Sequence, residues 1–525
     1  MGKRKKIKLI VLLAVVVLVV FGVSVANSVV KIKVENYLST SLPETLKLKY
    51  SNLDLNLWNG AATLEGVELQ SFHESTNEQL LKVNLESLSI KNIGYWSYLF
   101  NDNIDIGQIQ LNRPQLTYFS FQNQDSLKGE QKSPKKFKYK FNLKKLDIDK
   151  GEVGIVNAET DSVVLHIANL DFDLDKVFLD EAVLERKIPL EYSGYQVGFD
   201  SLFYSIGPYE NMTIGASELT DENLKFNDFR IYTKYSKYDL SNHIDIERDF
   251  ANVMFESVVL ENYNIDFTDD DRVFFMSSKM ELLNPQVDIF RDKLVADDPK
   301  IKPLYNEMLR DLNFDLNIDS LLIKNASVAY SEKVKQGNHG GEITFSDLNA
   351  KIANVSNTYK APIKTEIKIE ANFMDHAPLK VDWNFDVNDP YGTFVFQAEV
   401  DRLKVHDINK FSEPNLRVKF EGEIEQLYFT IGGDNNVSQV DMRAKYEDFH
   451  IVALKKDGST PNRFLSGVLN ALVAKDSDRL PDHFREGHKE GVERNKTKSV
   501  FNYIWINAKE GLLKTMVNHK RKHKT

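Results

Sequence analysis

Two histidines, His483 and His488, stand five positions apart in a charged stretch of a 525-residue chain. A divalent metal needs ligands that converge, and side chains on one helix face converge at spacings of three or four. The pair therefore reads as solvated surface. Asp269-Asp270-Asp271 is a second gathering of carboxylates, and it reads as a polar turn between apolar alternations rather than a cation cage. Gly432-Gly433-Asp434-Asn435-Asn436 has glycines suited to a phosphate loop. It follows one alternating stretch and precedes another (Val440, Met442, Ala444), so turn chemistry accounts for it. Gly-x-Ser-x-Gly, a phosphate-binding glycine loop, His-Glu-x-x-His and EF-hand spacing are all missing from the sequence. Cysteine is absent, which excludes disulfides, thiolate zinc, iron–sulfur ligation and cysteine nucleophiles. No catalytic residue, metal or cofactor is expected, and the chain reads as a non-enzyme. The enzymatic alternative is an exported glycan hydrolase. It would need two converging carboxylates, whereas the acids on strands here fall on the polar face with no distinctive pairing.

The signal lies instead in the elements. From Ala377 to Val400, Leu379, Val381, Trp383, Phe385 and Val387 alternate with polar residues. After Asn388-Asp389-Pro390-Tyr391-Gly392, Phe394, Phe396, Ala398 and Val400 resume the alternation. This is a hairpin with one apolar and one polar face. Phe137, Tyr139 and Phe141 mark another alternating strand, and similar stretches recur along the chain. In one of them the phase slips between Leu85 and Leu88, as at a β-bulge. Abundant aromatics and sparse proline favour strands, and a net charge of −10 without an Arg/Lys stripe argues against nucleic acid.

The N-terminus reads differently. Lys3, Arg4, Lys5, Lys6 and Lys8 precede an apolar run that includes Leu9, Ile10, Val11, Leu12, Leu13, Val15, Val16, Val17, Leu18, Val19, Val20 and Phe21. A run of about 18–20 such residues spans a bilayer as a helix, and the basic cluster should remain cytoplasmic. The alternative is a signal peptide cleaved near Ser24-Val25-Ala26. Either reading exports the remainder.

An internal repeat is visible. Leu146-Asp147-Ile148-Asp149-Lys150-Gly151-Glu152-Val153-Gly154-Ile155 resembles Leu321-Leu322-Ile323-Lys324-Asn325-Ala326-Ser327-Val328-Ala329-Tyr330. Each is followed by a polar loop and a similar strand, from Val164 and from Ile343. Arg113-Pro114-Gln115 echoes Asn284-Pro285-Gln286. Repeats of this kind suggest a sheet that grows by adding hairpins. The expected divisions are 1–40 (basic tip, transmembrane anchor and helical extension), 44–190 (first β region), 191–312 (irregular middle with a short helix), 313–455 (last β region) and 460–525 (amphipathic helices and basic tail). Residues 122–136 read as a loop and 476–498 as charged and poorly patterned. In the tail, Thr460 and Pro461 look like the N-cap and first residue of one helix. A second helix would place Phe501, Ile504, Trp505, Leu512 and Met516 on one face, as an end cap for the sheet or an interfacial helix. The expected fold is mostly β: an elongated, curved antiparallel sheet forming a groove, behind a transmembrane helix and before the amphipathic helices.

Tyr50-Ser51-Asn52-Leu53-Asp54-Leu55-Asn56-Leu57-Trp58-Asn59-Gly60-Ala61-Ala62-Thr63-Leu64-Glu65-Gly66-Val67-Glu68-Leu69, then Leu85 to Ile90 and Ile104 to Pro114, follow the basic N-terminus. Phe420-Glu421-Gly422-Glu423-Ile424, Phe429 to Asn436 and Met442 to Phe449 come late in the chain. In this order they resemble AsmA-like proteins of the AsmA/TamB superfamily of diderm bacteria. The resemblance implies an inner-membrane anchor with the N-terminus in the cytoplasm and a periplasmic β-groove. It also implies a role in outer-membrane homeostasis and phospholipid transport between membranes, with membrane lipids as cargo and an outer-membrane or envelope protein as a further partner. It brings no catalytic residue. Phe137, Tyr139, Phe141, Val381, Trp383, Phe385, Phe394 and Phe396 are then the candidate groove lining. The competing reading is an envelope assembly scaffold whose sheets close on each other as a sandwich and carry no lipid.

Overall fold

A computed structural model describes residues 26–101, 103–121, 138–268, 271–455, 460–477 and 483–517. The expected membrane run from Leu9 to Phe21, the cluster Lys3 to Lys8, Phe137, the 122–136 loop, Asp269, Asp270 and the basic tail from Lys520 lie outside the described residues. Among those described, no helix is long and apolar enough to cross a membrane. The chain is mostly β, and it divides into two compact units. One comprises residues 1–208 and 213–221, the other 209–212 and 222–525.

In the first unit a helix, α1, covers residues 26–40. The strands β1 (Leu46–Lys49) and β2 (Asn52–Asn56) both pair with β3 (Ala61–Phe72), and β3 pairs with β4 (Gln79–Lys91). Helix α2 (Tyr95–Asn101) precedes β5 (Asn103–Asn112) and β6 (Gln115–Ser120), which share β4 end to end. Then come β7 (Lys140–Asn157), β8 (Val163–Leu179), the short helix α3 (Glu181–Leu184), β9 (Gly194–Phe199) and β10 (Ser201–Ser205). Strand β11 (Glu210–Ile214) is divided between the units, and β12 (Ser217–Thr220) pairs with β9.

The second unit begins with β13 (Asn223–Thr233) and β14 (Phe250–Phe267). Strands β15 (Val273–Leu283) and β16 (Gln286–Asp292) share β14 end to end, as β5 and β6 share β4. Helix α4 (Tyr305–Arg310) leads to β17 (Asp315–Lys333). An antiparallel meander follows through β18 (Gly341–Ser356), β19 (Thr365–Phe373), β20 (Ala377–Phe385), β21 (Phe394–Lys404), β22 (Val418–Gly433) and β23 (Val437–Ala453). Helix α5 (Asn409–Leu416) lies between β21 and β22. After β23 come α6 (Arg463–Leu472), β24 (Arg485–Glu493) and α7 (Val500–Met516). The hairpin read from the sequence pairs Leu379 with Val400 and Phe385 with Phe394, as its alternation requires.

The ladders correct one expectation. They are not antiparallel throughout: β5 and β6 run parallel to β7, and β15 and β16 parallel to β17. A parallel neighbour needs a crossover of a dozen or more residues, and the connection from Asp292 to Asp315, which carries α4, is one. Both parallel pairs sit where the sequence repeats itself. Arg113 and Asn284 adopt left-handed φ angles of 47° and 46° just before their prolines. Their amides donate to Asp149 O at 2.8 Å and Lys324 O at 2.9 Å, and the carbonyls of Pro114 and Pro285 accept from Glu152 and Ser327, both at 2.7 Å. Proline has no amide to give the ladder, so the strand breaks there and restarts against the same partner. The register equates Leu165 with Ile343, since Leu165 faces Ile155 and Ile343 faces Tyr330.

Left-handed residues also explain the slips in alternation. Lys150, Asn169, Asn325, Asp347 and Asp448 all have φ near +50°. In each case the apolar phase moves by one across that residue, as from Ile148 to Val153 or from Tyr446 to Phe449. A bulge with one residue in this region absorbs the extra position and keeps apolar side chains on one face. Between Leu85 and Leu88, however, the β3/β4 register continues unshifted, with Glu65 opposite Ser87 and Val67 opposite Leu85. The slip there coincides instead with β4 changing partner from β6 to β5. Gly422 also has a positive φ, +107°, and a Cβ there would lie 2.5 Å from Asp448 O. Gly422→Ala is expected to lower stability by about 2 kcal/mol through backbone strain, measured by urea denaturation against wild type.

Candidate functional site

Cross-strand register assembles the apolar residues into continuous rows. In the first unit, Leu88, Leu111, Ile148, Phe172 and Val197 are successive neighbours across β4, β5, β7, β8 and β9. Ile90, Ile109, Leu146, Leu174 and Tyr195 form the adjacent row. Leu143, Leu174 and Val177 are buried, while Phe141, Ile109, Leu146 and Phe172 around them are only half-buried. This cluster draws on β5, β7, β8, β9 and Leu190 of the chain before β9. The side chains shelter one another along a single face, with no second sheet contributing to the cluster among the described residues. Tyr139, also half-buried, stacks on Tyr98 at 5.8 Å just outside these rows.

The apolar face of β19–β23 in the second unit is treated differently. Val381, Trp383, Phe385, Phe394 and Phe396 are only 6, 6, 4, 5 and 8 % exposed. Leu304, Tyr305 and Leu309 from the α4 region and Val500, Tyr503, Ile504 and Ile506 from α7 pack over them. Tyr305 meets the Trp383 ring at 5.3 Å, and Tyr503 meets Phe394 at 6.0 Å. The five side chains picked as groove lining thus belong to a buried core of the unit, under a helical cover. Arg310 pins α4 by donating to Val387 O and Asp389 O at 3.1 and 2.9 Å.

Helix α7 lies along β24 and β23 with its inward face made of Val500, Tyr503, Asn507, Gly511 and Thr515. Asn507 is fully buried and accepts from Ser438 Oγ at 2.9 Å. Of the face read from spacing, Met516 is buried and Ile504 and Leu512 pack against the two cores, but Phe501 and Trp505 are exposed. The helix is rotated because small and polar residues permit its close approach to the sheet. Gly511 leaves room for Met442: an added Cβ would lie 2.8 Å from Met442 Cε. Strand β24, within the stretch read as unpatterned, escaped notice for a related reason. Gly487 faces α7 at Thr515, so Val492 is the one apolar side chain that marks the strand.

The polar candidates resolve simply. His488 lies on β24 and bonds Asp441 at 2.6 Å and Glu490 at 3.2 Å; these two carboxylates raise its pKa, Asp441 most. No group of three or more His, Asp or Glu suited to a metal occurs among the described residues. Asp434 closes the β22–β23 turn by accepting from Asn436 N and Val437 N at 2.7 and 2.9 Å. One carboxylate pairing does exist that the sequence concealed: Asp147 and Asp173 face each other across β7 and β8. Burial pushes Asp147 up, but Lys145 and Gln108 outweigh it and hold its carboxyl low. Burial and the hydrogen bond with Asp147 push Asp173 up. Lys145 bridges the two, which closes the group as an ion pair on the polar side of the ladder.

Fold and site together define a mostly-β protein whose hairpin-built sheet leaves one apolar face lightly sheltered in the first unit and roofed by helices in the second. No family model matches the chain. Over 115 residues it is 24% identical to a protein named as a phosphoenolpyruvate synthase regulatory protein from Albidiferax ferrireducens. The match takes in 21% of this chain and 41% of that protein's length. A likeness so limited assigns neither a family nor an activity.

Proposed function

We propose that this is a non-enzymatic, membrane-anchored lipid-binding protein of a diderm bacterial envelope, whose uncovered apolar rows hold phospholipid acyl chains. In this reading the basic N-terminus stays in the cytoplasm and the apolar run from Leu9 crosses the inner membrane. The β units lie in the periplasm and contribute to phospholipid transport between membranes and to outer-membrane homeostasis. The observation that carries it is the pair of rows from β4 to β9, contiguous, apolar and, apart from Leu174, only half-buried. Each large side chain there forgoes part of the about 1.5–3 kcal/mol that full burial would give, and acyl chains would supply the missing contact. The order of sequence motifs, which resembles AsmA-like proteins, supports the same reading. The curved groove is part of this proposal, with Phe141, Ile109, Leu146 and Ile148 as its lining in the first unit.

A second reading has its own support. The face bearing Trp383 and Phe396 is covered by the chain's own helices, as an envelope scaffold without lipid cargo would require. The test is lipid content. Residues 26–525 keep Asn27, whose Oδ1 accepts from Leu57 N at 2.8 Å. Exported to a periplasm and purified without detergent, this chain is expected to carry phospholipid detectable by mass spectrometry. Ile109→Thr, Leu146→Thr and Ile148→Thr together keep β-branched or strand-compatible side chains and are expected to cut bound lipid about fivefold, since each removes apolar contact. A folded wild type without lipid, or a triple variant that retains all of it, would favour the scaffold.

A further inference from the structure

Helix α6 is mounted inside out. An amphipathic helix on a soluble protein turns its apolar stripe inward. Here the polar side chains of Ser466 and Asn470 face the sheet. Ser466 Oγ accepts from Ala453 N at 3.0 Å; Asn470 Oδ1 accepts from Ile451 N at 2.9 Å, and its Nδ2 donates to Ile451 O at 2.8 Å. They satisfy the edge of β23 beyond the stretch paired with β24, which ends at Ala444. The helix begins at Asn462, which caps it by accepting from Leu465 N at 3.1 Å, two residues after the cap read from the sequence. It buries no residue. Phe464, Leu465, Val468 and Leu472 point to solvent, Phe464 with 83 % of its surface exposed.

Four large apolar side chains on one side of a ten-residue helix form a contiguous patch, which marks an interaction surface. The charges around it say which kind. Lys455 and Arg463 stand exposed at its N-terminal side and Lys475 at its C-terminal side, where Asp476 is the acidic neighbour. Val473 bridges to Val517, and Ala474 N donates to Met516 O at 2.9 Å, so the end of α7 is fastened beside the end of α6. An apolar stripe with an aromatic at one end and cations at both ends matches the boundary between acyl chains and anionic headgroups. We infer that α6 is a docking element for an anionic lipid surface, with Phe464, Val468 and Leu472 entering the acyl boundary. This goes beyond lipid carriage by the sheet and does not depend on it.

The absence of cysteine allows the test to use the full chain. Val468→Cys, labelled with a polarity-sensitive fluorophore, is held in phosphatidylcholine nanodiscs and mixed with vesicles containing brominated acyl chains. With phosphatidylglycerol in the vesicles, emission is expected to fall about twofold or more, as for a side chain at the acyl boundary. The quenching should vanish in neutral vesicles or high salt. A label at Tyr391→Cys, in an exposed hairpin turn, should not respond. Phe464→Ser with Leu472→Ser should raise the vesicle concentration needed about tenfold. No quenching at 468, or equal quenching at 391, would overturn the proposal. So would equal quenching by neutral vesicles, a change that tracks protein concentration without vesicles (a second copy covering the stripe), or a response only to vesicles that carry protein.

Discussion

Trp383→Ala is expected to destabilise the second unit by about 3–5 kcal/mol, the range for removing a large aromatic from a packed core. The indole touches Tyr305, Phe385 and Phe396, with ring centroids at 5.3, 6.2 and 5.7 Å, and it sits beneath α4. Removing it leaves a cavity between sheet and helix that neither element can collapse into, because Arg310 holds α4 to the β20–β21 turn. Trp383→Phe should cost far less. The indole Nε1 is buried and has no hydrogen-bond partner among the described residues, so losing the N–H removes a desolvation penalty that offsets part of the lost volume. Urea denaturation followed by far-ultraviolet circular dichroism checks both. A Trp383→Ala protein as stable as wild type would mean that the helical cover contributes little. The same contrast bears on lipid: Leu146→Thr, in the half-buried rows of the first unit, should leave folding nearly intact.

Glu247→Ala is expected to cost about 3 kcal/mol, because it leaves two largely buried ammonium groups without their counter-ion. The Glu247 side chain is 1 % exposed and lies 2.8 Å from Lys293 Nζ and 3.1 Å from Lys498 Nζ. Burial alone pushes its carboxyl up, but the hydrogen bonds from the two lysines outweigh burial and hold its pKa down to about 2 from an ordinary 4.5. A depressed carboxyl stabilises the fold fully above its unfolded value, and that contribution is lost as pH falls through its folded value. Wild type should therefore lose its advantage over Glu247→Gln between about pH 4.5 and 2, as read from thermal midpoints across that range. A constant difference down to the acid limit would exclude the pairing as its source. Lys498 stands just ahead of α7, and Lys496 O accepts from Lys302 N at 2.8 Å. The cluster is thus a latch on the chain that leads into the cover over the Trp383 core. Lys498→Met should loosen that cover, visible as faster amide exchange in α7 than elsewhere in the unit.

Much of this architecture was legible in the residues. Alternation located strands from Leu53 to Leu174 and from Phe314 to Val452, whereas 191–312 read as irregular although it holds β9 to β16. The echo between Arg113-Pro114 and Asn284-Pro285 located the repeated unit, because proline and left-handed residues constrain the backbone locally. The parallel pairing of β5 and β6 with β7 was not legible: a strand's alternation is the same in either direction, and only the long crossover hints at it. The pairing of Asp147 with Asp173 depends on register across β7 and β8, which bulges on both strands shift.

The sequence alone determined that this chain would be strand-rich, one-faced and without a catalytic signature, since side-chain periodicity and residue type are local properties. Tertiary structure alone decided what covers each apolar face. Nothing in the alternation of Val381, Trp383 and Phe385 distinguishes a residue under α7 from one like Leu146, whose neighbours merely shelter it. Nor does the spacing of Phe464, Val468 and Leu472 reveal which way α6 is turned. Both outcomes depend on distant partners: Gly487 and Gly511 that admit α7 against the sheet, and the free edge of β23 that Ser466 and Asn470 satisfy while the apolar stripe faces outward.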